Sequence, residues 1–370
     1  MAPSTDDAGL KLENLLCMKG GNGAASYASN SEAQARHARS VIHLLEETVD
    51  MVKLDSPELP FHVVDLGCSS GSNTVSTMDI IVGRVAARYA TAGLSPPEFS
   101  AFFSDLPSND FNNLFKLLNE NKNGYWNYFA AGVPGTFYRR LFSQRSVNFF
   151  HSAFCLHWLS QVPESVCDEG SPAFNKGHVY IDMTREESAN AYRDQFQSDL
   201  AGFLKSRSAE MKRGGAMFLV CLGRTSSNPA DQGGPGLLFS THYQDAWDDL
   251  VNEGLLKSEK RDSYNIPVYA PSLEEFKEVV EADGSFVINK LDVFKGGSPL
   301  VVKEPGDDVE VGRAFVNTCR SITGVLVDAH IGEELSEELF RRVEIRATIH
   351  AKELLQNLQF HHIVASLSLR

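Results

Sequence analysis

Residues 30 to 53, NSEAQARHARSVIHLLEETVDMVK, place Ala33, His37, Val41, Leu44, Leu45, Thr48 and Val52 at helical spacing behind a cap at Asn30 or Ser31. One amphipathic helix is predicted there. FHVVDLG then reads as a short buried strand, and TVSTMDIIVGRVAARYATAG as a helix ended by the glycine at 93. EFSAFFSDLP is a second apolar strand stopped by Pro107, and SVNFFHSAFCLHWLS holds a third strand running into a turn. A long helix, NAYRDQFQSDLAGFLKSRSAEMK, leads to the strand GAMFLVCLG. Strand and helix alternate, so parallel pairing is the economical expectation. The turn-rich TSSNPADQGGP at 225–235 and helices near 241–254 and 272–283 interrupt that alternation as an insertion. SFVINKLDVFK resumes strand character, residues 304–332 return to helix, and HHIVASLSL closes as a last strand. The pattern predicts an α/β fold: a doubly wound sheet with an α-helical cap drawn from about 225–283 and 305–350.

Composition narrows the partners. At 370 residues and 42% hydrophobic, the chain can bury a large core. A formal net charge of -14 opposes binding to nucleic acid or an anionic membrane surface, which rely on clustered Lys and Arg. MAPSTDDAGLKLENLL has no basic region followed by an apolar run, and no stretch approaches 18 consecutive apolar residues, so a cytoplasmic protein is expected. Six cysteines without paired spacing signal neither a disulfide framework nor a thiolate zinc site. HExxH and GxSxG are both absent, which removes common handles for zinc and serine hydrolases.

VVDLGCSSGSNT, residues 63 to 74, brings the chain close to its own backbone at Gly67 and Gly71. In open α/β sheets such a turn after the first strand lets a ligand approach the strand ends. There is no GK[ST] for a triphosphate, and the GxGxxG dinucleotide pattern is incomplete. Asp105 ends the strand FSAFFSDL, where a carboxylate can accept both hydroxyls of a ribose. Adenosine without a pyrophosphate fits, which favours S-adenosylmethionine (SAM) over NAD. The alternatives are a tight connection at Gly67, a turn or capping role for Asp105 before Pro107, and a nicotinamide oxidoreductase.

MKGGNGAASYASNSEAQ (18–34), the 63–74 turn, FFSDLPSNDFNNLF (102–115), GVPGTFYRRLF (132–142), SAFCLHWLSQVP (152–163) and YNIPVYAPSLEEF (264–276) occur in one order along the chain. In these motifs the sequence resembles the SABATH family of plant SAM-dependent carboxyl methyltransferases, from Leu15 to Leu369. Within it the similarity is greatest to the group acting on indole-3-acetate. The resemblance implies a Rossmann-like SAM-methyltransferase sheet in a single catalytic domain, 1–370. The SAM-binding core would span about 36–224, 284–304 and 355–370, with segment 1–35 closing the site beneath the cap.

Matching positions assign SAM contacts to Tyr27, Asp65, Asn73, Asp105, Leu106, Thr136 and Phe137. Thr136 stands where the family usually has serine. Lys19, Gln34, His157, Trp158, Phe239 and Ser240 match the acid pocket, with Gln34 and Trp158 as carboxylate holders. Without the resemblance, His157 and Trp158 read as core, Gln34 as solvated helix surface and Lys19 as loop. The chemistry suits these residue types independently. A carboxylic acid with a pKa near 4.3 is already ionised at neutral pH and needs no general base. It needs its oxygen held at about 3 to 3.5 Å from the methyl, in line. Neutral donors do that without quenching the nucleophile.

Two departures from the indole-3-acetate group bear on the substrate: Ser240 replaces glycine, and LLNENKNGYWNYFAAG (117–132) is shorter. They favour salicylate, benzoate, cinnamate or farnesoate as alternative acids. The family also implies Mg2+ at Asn175, Asp262 and the carbonyl of Tyr264, and a homodimer. On its own, Asp262 beside Arg261 reads as a surface ion pair. His242, His361 and His362 show no metal-like partners in the sequence and are expected to be structural. A non-catalytic acid binder is the remaining class.

Overall fold

The computed structural model describes Glu13 and residues 15–120 and 127–370. Residues 121–126 of the shortened stretch, and the first twelve of the N-terminal segment, lie outside the described residues. Helices α1 (Tyr27–Asn30), α2 (Glu32–Ser40) and α3 (Ile42–Met51) lead into β1 (Phe61–Leu66), α4 (Ser72–Thr91), β2 (Phe99–Asp105), α5 (Phe111–Glu120) and β3 (Phe129–Pro134). Next come β4 (Val147–Ala153), α6 (Glu164–Cys167), α7 (Glu186–Glu210) and β5 (Met211–Gly223). The chain then runs through α8 (Gly234–Phe239), α9 (His242–Asn252), α10 (Ser258–Asp262) and α11 (Leu273–Asp283) to β6 (Phe286–Gly297). Helices α12 (Asp308–Ile331), α13 (Glu333–Ile349) and α14 (Ala351–Asn357) precede β7 (Phe360–Leu369).

The strands form one sheet in the order β3-β2-β1-β4-β5-β7-β6. β1 to β5 pair in parallel. β7 runs antiparallel to both β5 and β6, which corrects the expectation of parallel pairing throughout. The cause is where the chain re-enters: His361, at the start of β7, pairs with Gly223 at the end of β5. Alternate residues face opposite sides. Val64, Phe150, Leu219 and Cys221 pack under α7 and the cap helices, while Val63, Phe149, Phe218 and Val220 pack under α3, α4 and α5. Both faces are apolar because both are covered, as a doubly wound sheet requires.

Two other expectations change. The helix expected over 30–53 is broken at Val41 (φ -109, ψ 12), where the Ser40 hydroxyl bonds the His37 carbonyl at 2.7 Å and competes with the helical ladder. The apolar positions still turn inward, from His37 to Val52. β3 escapes periodicity altogether, since it is an edge strand with Phe129 66% exposed. Its register, Ser100 with Phe129 through Asp105 with Pro134, comes from β2 rather than from its own pattern.

Candidate functional site

From β1 the chain builds outward to β2 and β3, then crosses back to β4 and β5. The reversal between β1 and β4 leaves a crevice beyond their carboxyl ends, the position where such sheets bind ligands. A large cavity and a smaller neighbour lie there and share Tyr27, Gln34, Gly67, Ser69 and Phe154 in their walls. No lysine or arginine lines either one among the described residues.

Local chemistry shapes the first wall. Gly67 has φ +80, and a Cβ there would lie 2.2 Å from Cys155 Sγ, so the turn leaves no room for a side chain. Ser69 and Phe154 adopt left-handed backbone without being glycine, at φ 52 and 60, so strain gathers on this crevice. The Ser69 N–H donates to Asp105 Oδ2 at 2.7 Å, and Leu106 N–H to Oδ1 at 2.8 Å. Burial pushes the Asp105 carboxyl up to about 6, outweighing those two donors. Asp65 lines the smaller cavity. Thr74 Oγ1 donates to its Oδ2, and His151 Nδ1 lies 2.7 Å from its Oδ1. Asn73 donates to Ser31 O and Oγ, both at 3.2 Å, tying α4 to the N-terminal segment. Thr136 Oγ1 accepts the Tyr138 N–H at 3.3 Å, and Phe137 packs edge-on to Phe203.

The far end is apolar with few polar groups. Leu222, Leu238, Phe239 and Val268 line it alongside His157 and Trp158. Segment 157–159 is held by a strap from the cap: Leu159 N–H donates to Pro267 O at 2.8 Å and Tyr269 N–H to His157 O at 2.9 Å. Leu222 N–H donates to His157 Nδ1 at 3.3 Å, which puts the ring proton on Nε2. Burial holds this imidazole neutral, with its pKa down to about 3. The Gln34 amide has a buried oxygen with no partner, an unmet polar group in the wall of both cavities.

Lys19 stands off the cavity walls. Its N–H donates to Ser321 O at 3.0 Å and its carbonyl accepts from Tyr27 N–H, linking the N-terminal segment to α12. Ser240 also stands off the walls, directly after Phe239, with its hydroxyl buried and unpartnered. Asn175 and Asp262 approach through Asn265, whose Oδ1 accepts from Asn175 at 2.9 Å and whose amide donates to Asp262 O at 3.4 Å. Asp262 is buried and paired with Arg261 at 2.8 Å, so its ion pair is an interior one rather than a surface one. Asn175 Oδ1 is buried without a partner.

Several supporting residues carry no motif of their own. The Tyr138 hydroxyl donates to the Trp158 carbonyl and fixes that segment from the β3 side. Arg207 and Glu210, both fully buried and 2.7 Å apart, grip the 137–142 loop from within: Arg207 donates to the Phe137 and Arg139 carbonyls, and Glu210 accepts from Leu141 and Phe142 N–H. In the 102–115 motif, Asn109 donates to Ser69 O at 3.1 Å and Asp110 accepts Gly21 N–H at 3.2 Å. Polar residues clustered just past a strand end were the available signal for these last two.

Residues 13–370 match the sequence profile of a family described as SAM dependent carboxyl methyltransferase. The chain is 65% identical to Indole-3-acetate O-methyltransferase 1 of Arabidopsis thaliana, over 97% of its length and 96% of the relative. It is 57% identical to Indole-3-acetate O-methyltransferase 1 of Oryza sativa subsp. japonica, over 97% and 94%. Among solved structures it resembles a loganic acid methyltransferase with SAH, with a TM-score of 0.85, 32% identity, and coverage of 95% of this chain and 98% of that one.

Proposed function

The chain belongs to the SAM-dependent carboxyl methyltransferase family, and from that premise we propose that it converts indole-3-acetate to its methyl ester. The observation that carries this reading is a cavity with no cationic side chain in its described walls, lined by Gln34 and Trp158, whose N–H groups can donate to a carboxylate, against aromatic and aliphatic surface. A carboxylate held by neutral groups stays nucleophilic. The 65% identity to an enzyme named for indole-3-acetate supports the choice of acid.

The residues present fit SAM. Asp105 offers a carboxylate for ribose hydroxyls, Gly67 leaves backbone bare, and Tyr27, Asn73, Leu106, Thr136 and Phe137 surround the space between them. When bound, SAM supplies the sulfonium methyl. Asp65, held by Thr74 and His151, offers its carboxylate to SAM from the wall of the smaller cavity. Gln34 and Trp158 orient the acid, neutral His157 offers its Nε2–H, Phe239 flanks the ring, and Lys19 and Ser240 act from behind the wall. No residue is required to remove a proton.

Mg2+ also fits, at Asn175, Asp262 and the Tyr264 carbonyl, because the Asn175 oxygen is buried and unsatisfied. One carboxylate already shared with Arg261 makes a weak site, and its chemistry would be to tie neighbouring loops rather than to act on the acid. The reading extends to a SAM-binding core closed by the cap and by the N-terminal segment, and to a homodimer in the cytoplasm. Six free cysteines, three of them buried, support a reducing compartment.

Ser240 favours a second reading, a different acid of the same class, because its unpartnered hydroxyl reshapes the surroundings of Phe239. The test is transfer from methyl-labelled SAM to indole-3-acetate, salicylate, benzoate, cinnamate and farnesoate in parallel. The highest kcat/KM for indole-3-acetate is expected; preference for another acid selects the second reading, and no transfer to any acid removes both.

A further inference from the structure

The cap brings together three side chains that the sequence keeps far apart. His242 opens α9, His350 joins α13 to α14, and Glu353 lies in the first turn of α14. One ligand-capable atom from each falls within 4.8 Å of the other two. His350 Nδ1 and Glu353 Oε2 are 3.4 Å apart. Tetrahedral coordination with bonds of about 2.0 to 2.1 Å separates its donors by about 3.3 Å, so one edge is already at coordination spacing. The ring of His242 stacks on that of His350 at 4.4 Å between centroids, tilted by 24°.

We propose that His242, His350 and Glu353 form a binding site for a zinc-type divalent transition metal, separate from the methyl-transfer cavity. His242 is only 7% exposed and its Nδ1 is buried with no partner, so it has an unmet need for a ligand. Two imidazoles and a carboxylate suit Zn2+ or Co2+, whereas Mg2+ prefers oxygen ligands. Arg346 is the cation that opposes binding, and Asp249 at 2.7 Å and Asp245 at 3.4 Å already engage it. His350 and Glu353 are 45% and 60% exposed, which gives a metal its entry and leaves a coordination position for water. The sequence alone offered His242 no metal-like partner; folding supplies two. Occupancy would pin the start of α9, three residues beyond cavity-lining Phe239, to α14.

The test uses the untagged full chain, freed of metal and titrated with Co2+. One equivalent should bind with the visible absorption of a low-coordinate Co2+ centre, and excess Mg2+ should fail to displace it. His350→Ala and Glu353→Gln, at exposed positions and checked for native circular dichroism, should each weaken Co2+ binding at least ten-fold and remove the absorption. Binding no tighter than millimolar, or unchanged in both variants, would overturn the site.

Discussion

The carboxylate of Asp105 accepts the backbone N–H of Ser69 at 2.7 Å, so the residue that ends β2 holds in place the turn that follows β1. Ser69 could not keep its left-handed backbone as cheaply without that acceptor. The same carboxylate faces the cavity.

Asp105 should therefore make cofactor binding depend on pH. With its carboxyl near 6, it is largely ionised at pH 7 and protonated by pH 5. The KM for SAM is expected to rise as pH falls through 6, and Asp105→Asn should raise it about 10- to 100-fold at pH 7 while flattening the profile. For stability the sign is opposite. Its carboxyl is raised from 3.8, so its contribution to folding is full below pH 4 and lost as pH climbs through 6. The melting temperature should then vary less with pH between 4 and 7 in Asp105→Asn than in the unaltered chain. An unchanged dependence would contradict this.

Gln34→Ala and Trp158→Phe should act on the acid. Each removes one neutral donor to a charged group, worth about 1.5 to 3 kcal/mol, so kcat/KM for the acid should fall roughly 10- to 150-fold. Steady-state kinetics with each substrate varied should show a smaller change in the KM for SAM. Equal losses for both substrates would mean that these side chains only shape the cavity.

The buried Arg207–Glu210 pair should be intolerant of single changes. Burial lowers the Arg207 guanidinium to about 10, and Glu210 is what keeps its charge tenable. Glu210→Gln or Arg207→Met strands one buried partner, at about 3 to 5 kcal/mol each. The double variant should cost less than the sum of the two, measured by urea unfolding. Simple additivity would show that the pair is uncoupled.

Ser240→Gly should shift selectivity rather than overall rate. Removing a buried hydroxyl with no partner relieves an unsatisfied group and frees space behind Phe239. The kcat/KM ratio of indole-3-acetate to benzoate should rise by several-fold. An unchanged ratio would place Ser240 outside the determinants of specificity.

Local signals sufficed for much of the fold and of the cavity. Apolar runs marked β1, β2, β4 and β5 because strands buried on both faces need no alternation, and glycines past their ends marked turns that tolerate no Cβ, as at Gly67. Asp65, Asn73, Asp105 and Leu106 lie at or just past the ends of β1 and β2, so they were legible together with those strands, whereas Tyr27, Thr136 and Phe137 stand beside no strand that the pattern marks. Tertiary structure alone decided the features that join distant segments. β3 pairs through β2 without a pattern of its own, β7 runs backward because the cap returns the chain at the far end of β5, and Tyr138 holds Trp158 through a backbone carbonyl that no motif encodes. His242, His350 and Glu353 meet only when α9 packs beside the α13–α14 junction. Sequence specifies what each segment buries; which polar groups then face one another depends on how those buried surfaces close.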